Sequence, residues 1–126
     1  MKFDIMTPLL GFEDLKQVTL EKFDENFMKM QSVDNENISF TLINPFVLRE
    51  YDFEIPQQIQ DLLELNEESN LLVYNIVLIQ NPIENSIINL IGPLLFNTDS
   101  QKAIQIVLPE STNYGVAEKI STFLSK

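Results

Sequence analysis

Carboxylates are the most numerous side chains in this sequence that could carry chemistry. There is no His and no Cys, which removes the commonest general acid/base, the commonest metal ligand and the thiolate, and leaves Ser, Thr, Lys and carboxylates as candidate reacting groups. The acidic pairs Glu67 with Glu68 and Asp34 with Glu36 could in principle hold a hard cation or exchange a proton. Both sit in polar, turn-like sequence, where solvated charge is the ordinary role. The Asp34-Asn35-Glu36-Asn37 stretch also lacks the glycine and the distal glutamate of a calcium loop. Gly11, Gly92 and Gly115 lie too far apart to cradle a phosphate. The reading is of a protein without catalytic residues, cofactor or metal.

The charge is uneven. Nineteen acidic against eight basic residues give a net charge of -11, and no Lys or Arg occurs between Arg49 and Lys102, where Glu50, Asp52, Glu54, Asp61, Glu64, Glu67, Glu68, Glu84 and Asp99 all fall. Such a field repels nucleic acid and anionic membrane surfaces, and it accelerates encounter with a basic protein surface. The plainer reading, acidic residues that keep a protein soluble, stands beside it. The absence of Cys fits a reducing compartment, and Met1-Lys2-Phe3-Asp4 opens no signal peptide, so the expectation is a cytoplasmic protein that does not engage a membrane. No apolar run reaches transmembrane length.

The elements that must position these charges are mostly strands. At 126 residues the chain is the size of one domain, read as 1–126 with no internal boundary. Leu71 to Ile79 is the longest apolar run, interrupted only by Asn75, and it predicts a central strand covered on both faces. Asn81-Pro82 and Gly92-Pro93 punctuate a meander that continues through Ile87 to Ile91, Leu94 to Phe96 and Ala103 to Leu108, with Ile104, Ile106 and Leu108 on one face. Further strands are expected around Phe3 and Ile5, over Gln17 to Phe23, Phe27 to Ser32 and Ile38 to Ile43. Asn44-Pro45 ends the last of these.

After it, Glu50 to Ile55 alternates carboxylates with apolar residues, so Tyr51, Phe53 and Ile55 point one way and Glu50, Asp52 and Glu54 the other, in the manner of an edge strand. Pro56 opens a short helix with an Ile59, Leu62, Leu63 stripe, and Val116, Ile120, Phe123 and Leu124 predict an amphipathic tail helix over Val116 to Leu124. The fold class expected is all-β: a small antiparallel β-barrel or sandwich with two short helices.

The order of LLGFEDL, FTLINPFVLREYDFEIP and LLVYNIVLIQNPIENSIINLIGPLLFNTDSQKAIQIVL resembles the flagellar assembly factor FliW family, over about Leu9 to Leu108. The GFE turn, the NP with its YxFxIP segment and the NLxxP…N…Q hairpin carry the likeness. They mark Gly11, Phe12 and Glu13; Asn44 and Pro45; Tyr51, Phe53 and Pro56; and Asn89, Leu90, Pro93, Asn97 and Gln105. Leu10 stands where the family commonly has a proline, and the strand pair that often precedes the turn is short here.

The resemblance implies a non-enzymatic protein of bacterial flagellum biogenesis that binds flagellin and, in exchange, the RNA-binding regulator CsrA. Holding CsrA would relieve its repression of flagellin translation, a chaperone-like role in translation regulation with no direct contact to nucleic acid, and with a monomer as the free form. Of the family positions, Gly11, Phe12, Asn44, Pro45, Asn89, Pro93 and Asn97 are assigned to structure, since Asn and Gly serve turns and strand ends. The partner-binding surface is assigned to Phe46, Glu50, Tyr51, Asp52 and Glu54, whose carboxylates repel one another until a cationic partner relieves them. The alternative from the residues alone is a small barrel that holds an apolar ligand in its interior.

Overall fold

The computed structural model describes residues 1–9, 11–22 and 24–121. Among these residues the strands are β1 (Lys2–Ile5), β2 (Gln17–Lys22), β3 (Phe27–Ser32), β4 (Ser39–Ile43), β5 (Leu71–Leu78), β6 (Ile87–Ile88), β7 (Leu94–Asn97), β8 (Lys102–Gln105) and β9 (Glu118–Lys119), and Gln57–Leu62 forms the α-helix α1. Strands β1 to β4 pair in sequence order as antiparallel neighbours. The ring then closes through β4 on β5, β5 on β7, β7 on β8 and β8 on β1, the last pair being parallel. A closed barrel follows, so that of the two architectures expected, barrel or sandwich, the barrel holds.

Alternation along each strand sorts the apolar residues into two cores. Phe3, Val18, Leu20, Met30, Leu42, Leu94, Phe96 and Ala103 point into the lumen, joined by Met28, Phe40, Leu72, Tyr74 and Ile76. Phe3 and Phe96 meet edge to face there at 5.1 Å. The lumen is thus filled by side chains, which argues against the apolar-ligand barrel. The second core lies outside the ring, where Ile43, Val77, Leu95, Ile104, Ile106 and Leu108 are covered by Tyr51, Leu63 and Ile120.

Strand β5 is central because both of its faces and both of its edges are used. Leu71 to Tyr74 pair with β7 on one edge, Asn75 to Val77 pair with β4 on the other, and Val77 and Leu78 also take β6. Its even-numbered residues to Ile76 serve the lumen, while Leu71, Val73 and Val77 serve the outer core. A nearly continuous apolar run, broken here only by Asn75, is what cover on both faces requires.

Several expected elements differ. Ile87 to Ile91 is not one strand: β6 ends at Ile88, and the Leu90 and Ile91 N–H groups donate instead to the Gly115 carbonyl. The tail helix expected over Val116 to Leu124 is absent from Val116 to Lys119, because Glu118 and Lys119 form β9 on β6 and the Ile120 N–H donates to the Ser86 carbonyl. An open edge of β6 satisfies these backbone groups, and Val116, which should have faced the core, is exposed. Phe123 and Leu124 lie outside the described residues, as does Phe23 at the end of the expected second strand. On α1, Ile59 is half-buried against the outer core and Leu63, just past the helix end, is fully buried, whereas Leu62 is 38% exposed. The Leu63 N–H donates to the Ile59 carbonyl, so the i, i+4 pair shares the covered face and Leu62 falls outside it.

Candidate functional site

The stretch from Asn44 to Leu65 leaves the barrel at the end of β4, crosses the outer core and returns at β5, forming a clamp across one side of the ring. Its entry is set locally. The Asn44 side-chain Oδ1 accepts the Phe46 N–H at 3.0 Å, and Pro45 opens a short 3-10 turn over Pro45–Val47. Pro45 is buried, while Phe46 and Val47 are exposed.

Beyond Arg49 the chain runs extended but pairs with no strand among the described residues, so the edge strand expected here is a segment outside the sheet. The alternation survives without the ladder. Tyr51 is 6% exposed, Phe53 and Ile55 pack on the outer core, and Glu50, Asp52 and Glu54 face solvent. Side-chain anchors hold what backbone pairing does not. The Tyr51 hydroxyl donates to the Leu90 carbonyl and accepts from Asn75 Nδ2 at 3.1 Å. Asn75 Nδ2 also donates to the Asn89 carbonyl at 2.8 Å. Burial pushes the Tyr51 phenol up to about 12; the Asn75 hydrogen bond opposes this, Tyr114 adds to it and Arg49 lowers it.

Tyr114 supplies the other half of the anchor. Its ring lies 4.7 Å from that of Tyr51, its hydroxyl accepts the Asp52 N–H and donates to the Asp52 carbonyl, each at 3.1 Å, and the Arg49 guanidinium sits 4.9 Å above its face. Of the residues assigned to partner binding, Phe46, Glu50, Asp52 and Glu54 therefore present surface, whereas Tyr51 is the post that holds them. Tyr114 is not among the assigned residues, and nothing in the spacing of Pro109 to Gly115 marks it. Asn75 did leave a signal, as the one polar residue inside the longest apolar run.

The family-motif positions occupy turns. Gly11 has φ +87° and turns the chain so that the Phe12 N–H reaches the Leu9 carbonyl at 2.9 Å, with Phe12 edge-on to Phe40 at 5.0 Å. Asn89 Oδ1 accepts the Gly92 N–H at 3.1 Å, and Gln105 Nε2 donates to the Gly92 carbonyl at 2.9 Å. A Cβ at Gly92 would come within 2.9 Å of that same Gln105 amide. Pro93 is buried and its carbonyl accepts the Ile106 N–H. Asn97, with no exposed surface, donates to the Leu63 carbonyl at 2.8 Å and accepts the Asp99 N–H at 3.0 Å, tying the end of α1 to the turn after β7. Glu67, Glu68, Asp34 and Glu36 are all exposed, and no acidic cluster among the described residues is arranged to hold a metal.

Comparison with known proteins bears on this arrangement as a whole. The model of the family "FliW protein" matches residues 2–120, which takes in the barrel, the clamp and β9. The flagellar assembly factor FliW of Sulfurimonas denitrificans is 63% identical over 126 residues, covering all of both chains. The flagellar assembly factor FliW 2 of Wolinella succinogenes is 46% identical, over 99% of this chain and 93% of its own. A crystal structure of the flagellar assembly factor FliW superposes with a TM-score of 0.87 over 94% of this chain and 84% of the other, and at 24% identity it speaks to the fold. The same segments that build the ring and lay the clamp across it are those the family model spans, and the chain belongs to the FliW family of flagellar assembly factors.

Proposed function

We propose that this flagellar assembly factor works by protein–protein contact in the cytoplasm, without catalysis, binding flagellin and the RNA-binding translational regulator CsrA. Capture of CsrA relieves repression of flagellin translation, and flagellin releases CsrA by competing for the protein. The observation that carries the reading is the clamp's outer face: Glu50, Asp52 and Glu54 stand exposed on a segment whose Tyr51 is fixed on the other side by hydrogen bonds to Leu90 and Asn75. A fixed row of carboxylates on a chain of net charge -11 favours a cationic protein surface and repels the RNA that such a regulator otherwise carries.

The test is to titrate purified CsrA and flagellin separately against the protein, then repeat the CsrA kinetics with Glu50→Gln, Asp52→Asn and Glu54→Gln combined. Wild-type association should slow with added salt, and the variant, with unchanged melting temperature, should be slower and less salt-sensitive. Equal rates and slopes for the two proteins would remove the acidic face from the docking surface. Failure to bind either partner would remove the function.

A further inference from the structure

Next to the clamp runs a groove of about 630 Å³, floored by Ile104, Ile106 and Leu108 and walled by Phe53, Pro56 and Ile59. One of its margins is an open strand edge. Strand β1 runs parallel to β8, with the Asp4 N–H donating to the Gln101 carbonyl and the Met6 N–H to the Ala103 carbonyl. Two residues further on, the same register would bring the N–H of residue 8 to the Gln105 carbonyl, but residue 8 is proline and has none to give. The ladder has already ended before that point, because the chain bends at Met6 and Thr7 and no bond from the Gln105 N–H to the Met6 carbonyl forms among the described residues.

The chain past β8 nevertheless stays extended. The Ile106 and Leu108 N–H groups donate to the Pro93 and Ile91 carbonyls on the other side, which turns the peptide groups of Gln105 and Val107 toward the place β1 has vacated. No backbone hydrogen bond involves Val107 among the described residues, and its side chain is 80% exposed. An apolar, unpaired edge beside an apolar trough is the arrangement that accepts an added strand, and Gln105–Val107 itself carries no lysine or proline, the first proline on this edge being Pro109 at its far end.

We infer that this groove takes an extended peptide segment of a partner protein, added as a strand along Gln105–Val107, with alternate apolar side chains in the trough and basic side chains outward. Charge selects the occupant. Glu54 lines the groove, the exposed Asp52 and Glu110 lie close in sequence to its walls, and no Lys or Arg among the described residues lines it. A second copy of the chain paired edge to edge would set these carboxylates against their equals, whereas a basic strand is attracted by them. The inference goes beyond the assignment of flagellin and CsrA, since it concerns a mode of binding and is tested without either.

The probe is a fluorescein-labelled octapeptide alternating valine and lysine, compared with the same peptide N-methylated on alternate residues and with a valine–glutamate version. Anisotropy should report binding of the first only, with the Gln105 and Val107 amides shifting in NMR spectra and becoming protected from hydrogen exchange. Val107→Pro deletes an edge donor the fold does not use and should weaken the peptide about tenfold. Glu54→Lys should weaken it as well while leaving the edge intact, and it serves if Val107→Pro fails to fold. Equal binding of the N-methylated peptide, shifts confined to other residues, or no binding of any peptide would overturn the proposal. So would concentration-dependent shifts of the Val107 amide in the free protein with dimerisation in sedimentation, which would assign the edge to a second copy.

Discussion

Asn75 Nδ2 lies 3.1 Å from the Tyr51 hydroxyl, so the barrel's central strand and the clamp that crosses it are joined by a buried polar contact. The hydroxyl completes the joint by donating to the Leu90 carbonyl. Tyr51→Phe keeps the ring and its contact with Tyr114 but strips the Leu90 carbonyl of its donor and Asn75 of an acceptor. Such a buried loss costs about 1–3 kcal/mol. Chemical denaturation should show this drop, and proteolysis should cut first between Arg49 and Pro56 if the clamp loosens ahead of the barrel. A wild-type denaturation midpoint would mean that the joint contributes nothing.

The same phenol sets an alkaline limit on stability. Its value in the fold is pushed from 10.0 to about 12 by burial, so the folded protein holds the proton more tightly than the unfolded chain does. The resulting stabilisation of the neutral form is fully present below pH 10 and is lost as the pH rises toward about 12. Tyr74, also raised by burial, acts with the same sign. Denaturation curves taken between these limits should fall in wild type and fall less steeply in Tyr51→Phe. Parallel slopes would show that another group dominates.

Asn97 should matter to folding and leave recognition alone. With no exposed surface and bonds to the Leu63 carbonyl and the Asp99 N–H, it holds the end of α1 against the turn after β7. Asn97→Ala leaves the Asp99 N–H without its acceptor and should cost about 1–3 kcal/mol. CsrA affinity of the protein that remains folded should match wild type. A stable Asn97→Ala variant that had lost CsrA would reverse the assignment and place this turn in the interface.

What the sequence determined by itself is what depends on neighbours along the chain. Period-two alternation separated Leu42 from Ile43 into different cores and set Glu50, Asp52 and Glu54 opposite Tyr51 and Phe53, because successive side chains of an extended backbone must face opposite ways. The alternation persists in the clamp even though it pairs with no strand among the described residues, since alternation needs extension and not a partner. The long apolar run, broken only by Asn75, likewise announced a strand covered on both sides.

Only the tertiary structure decided what depends on residues far apart in sequence. Closure of the ring rests on β1 meeting β8 in parallel and β4 meeting β5, pairings that local pattern does not encode. Val116 to Lys119 reads as the start of a helix, yet the open edge of β6 draws Glu118 and Lys119 into a strand, an instance of tertiary pairing overriding periodicity. Tyr114 acquires its role from a clamp residue 62 positions away, and the edge at Val107 is open because the chain near the other end bends away at Met6 and Thr7 and runs on into Pro8, which cannot donate. A backbone donor missing from one strand becomes a vacancy on another only once the fold has laid the two side by side.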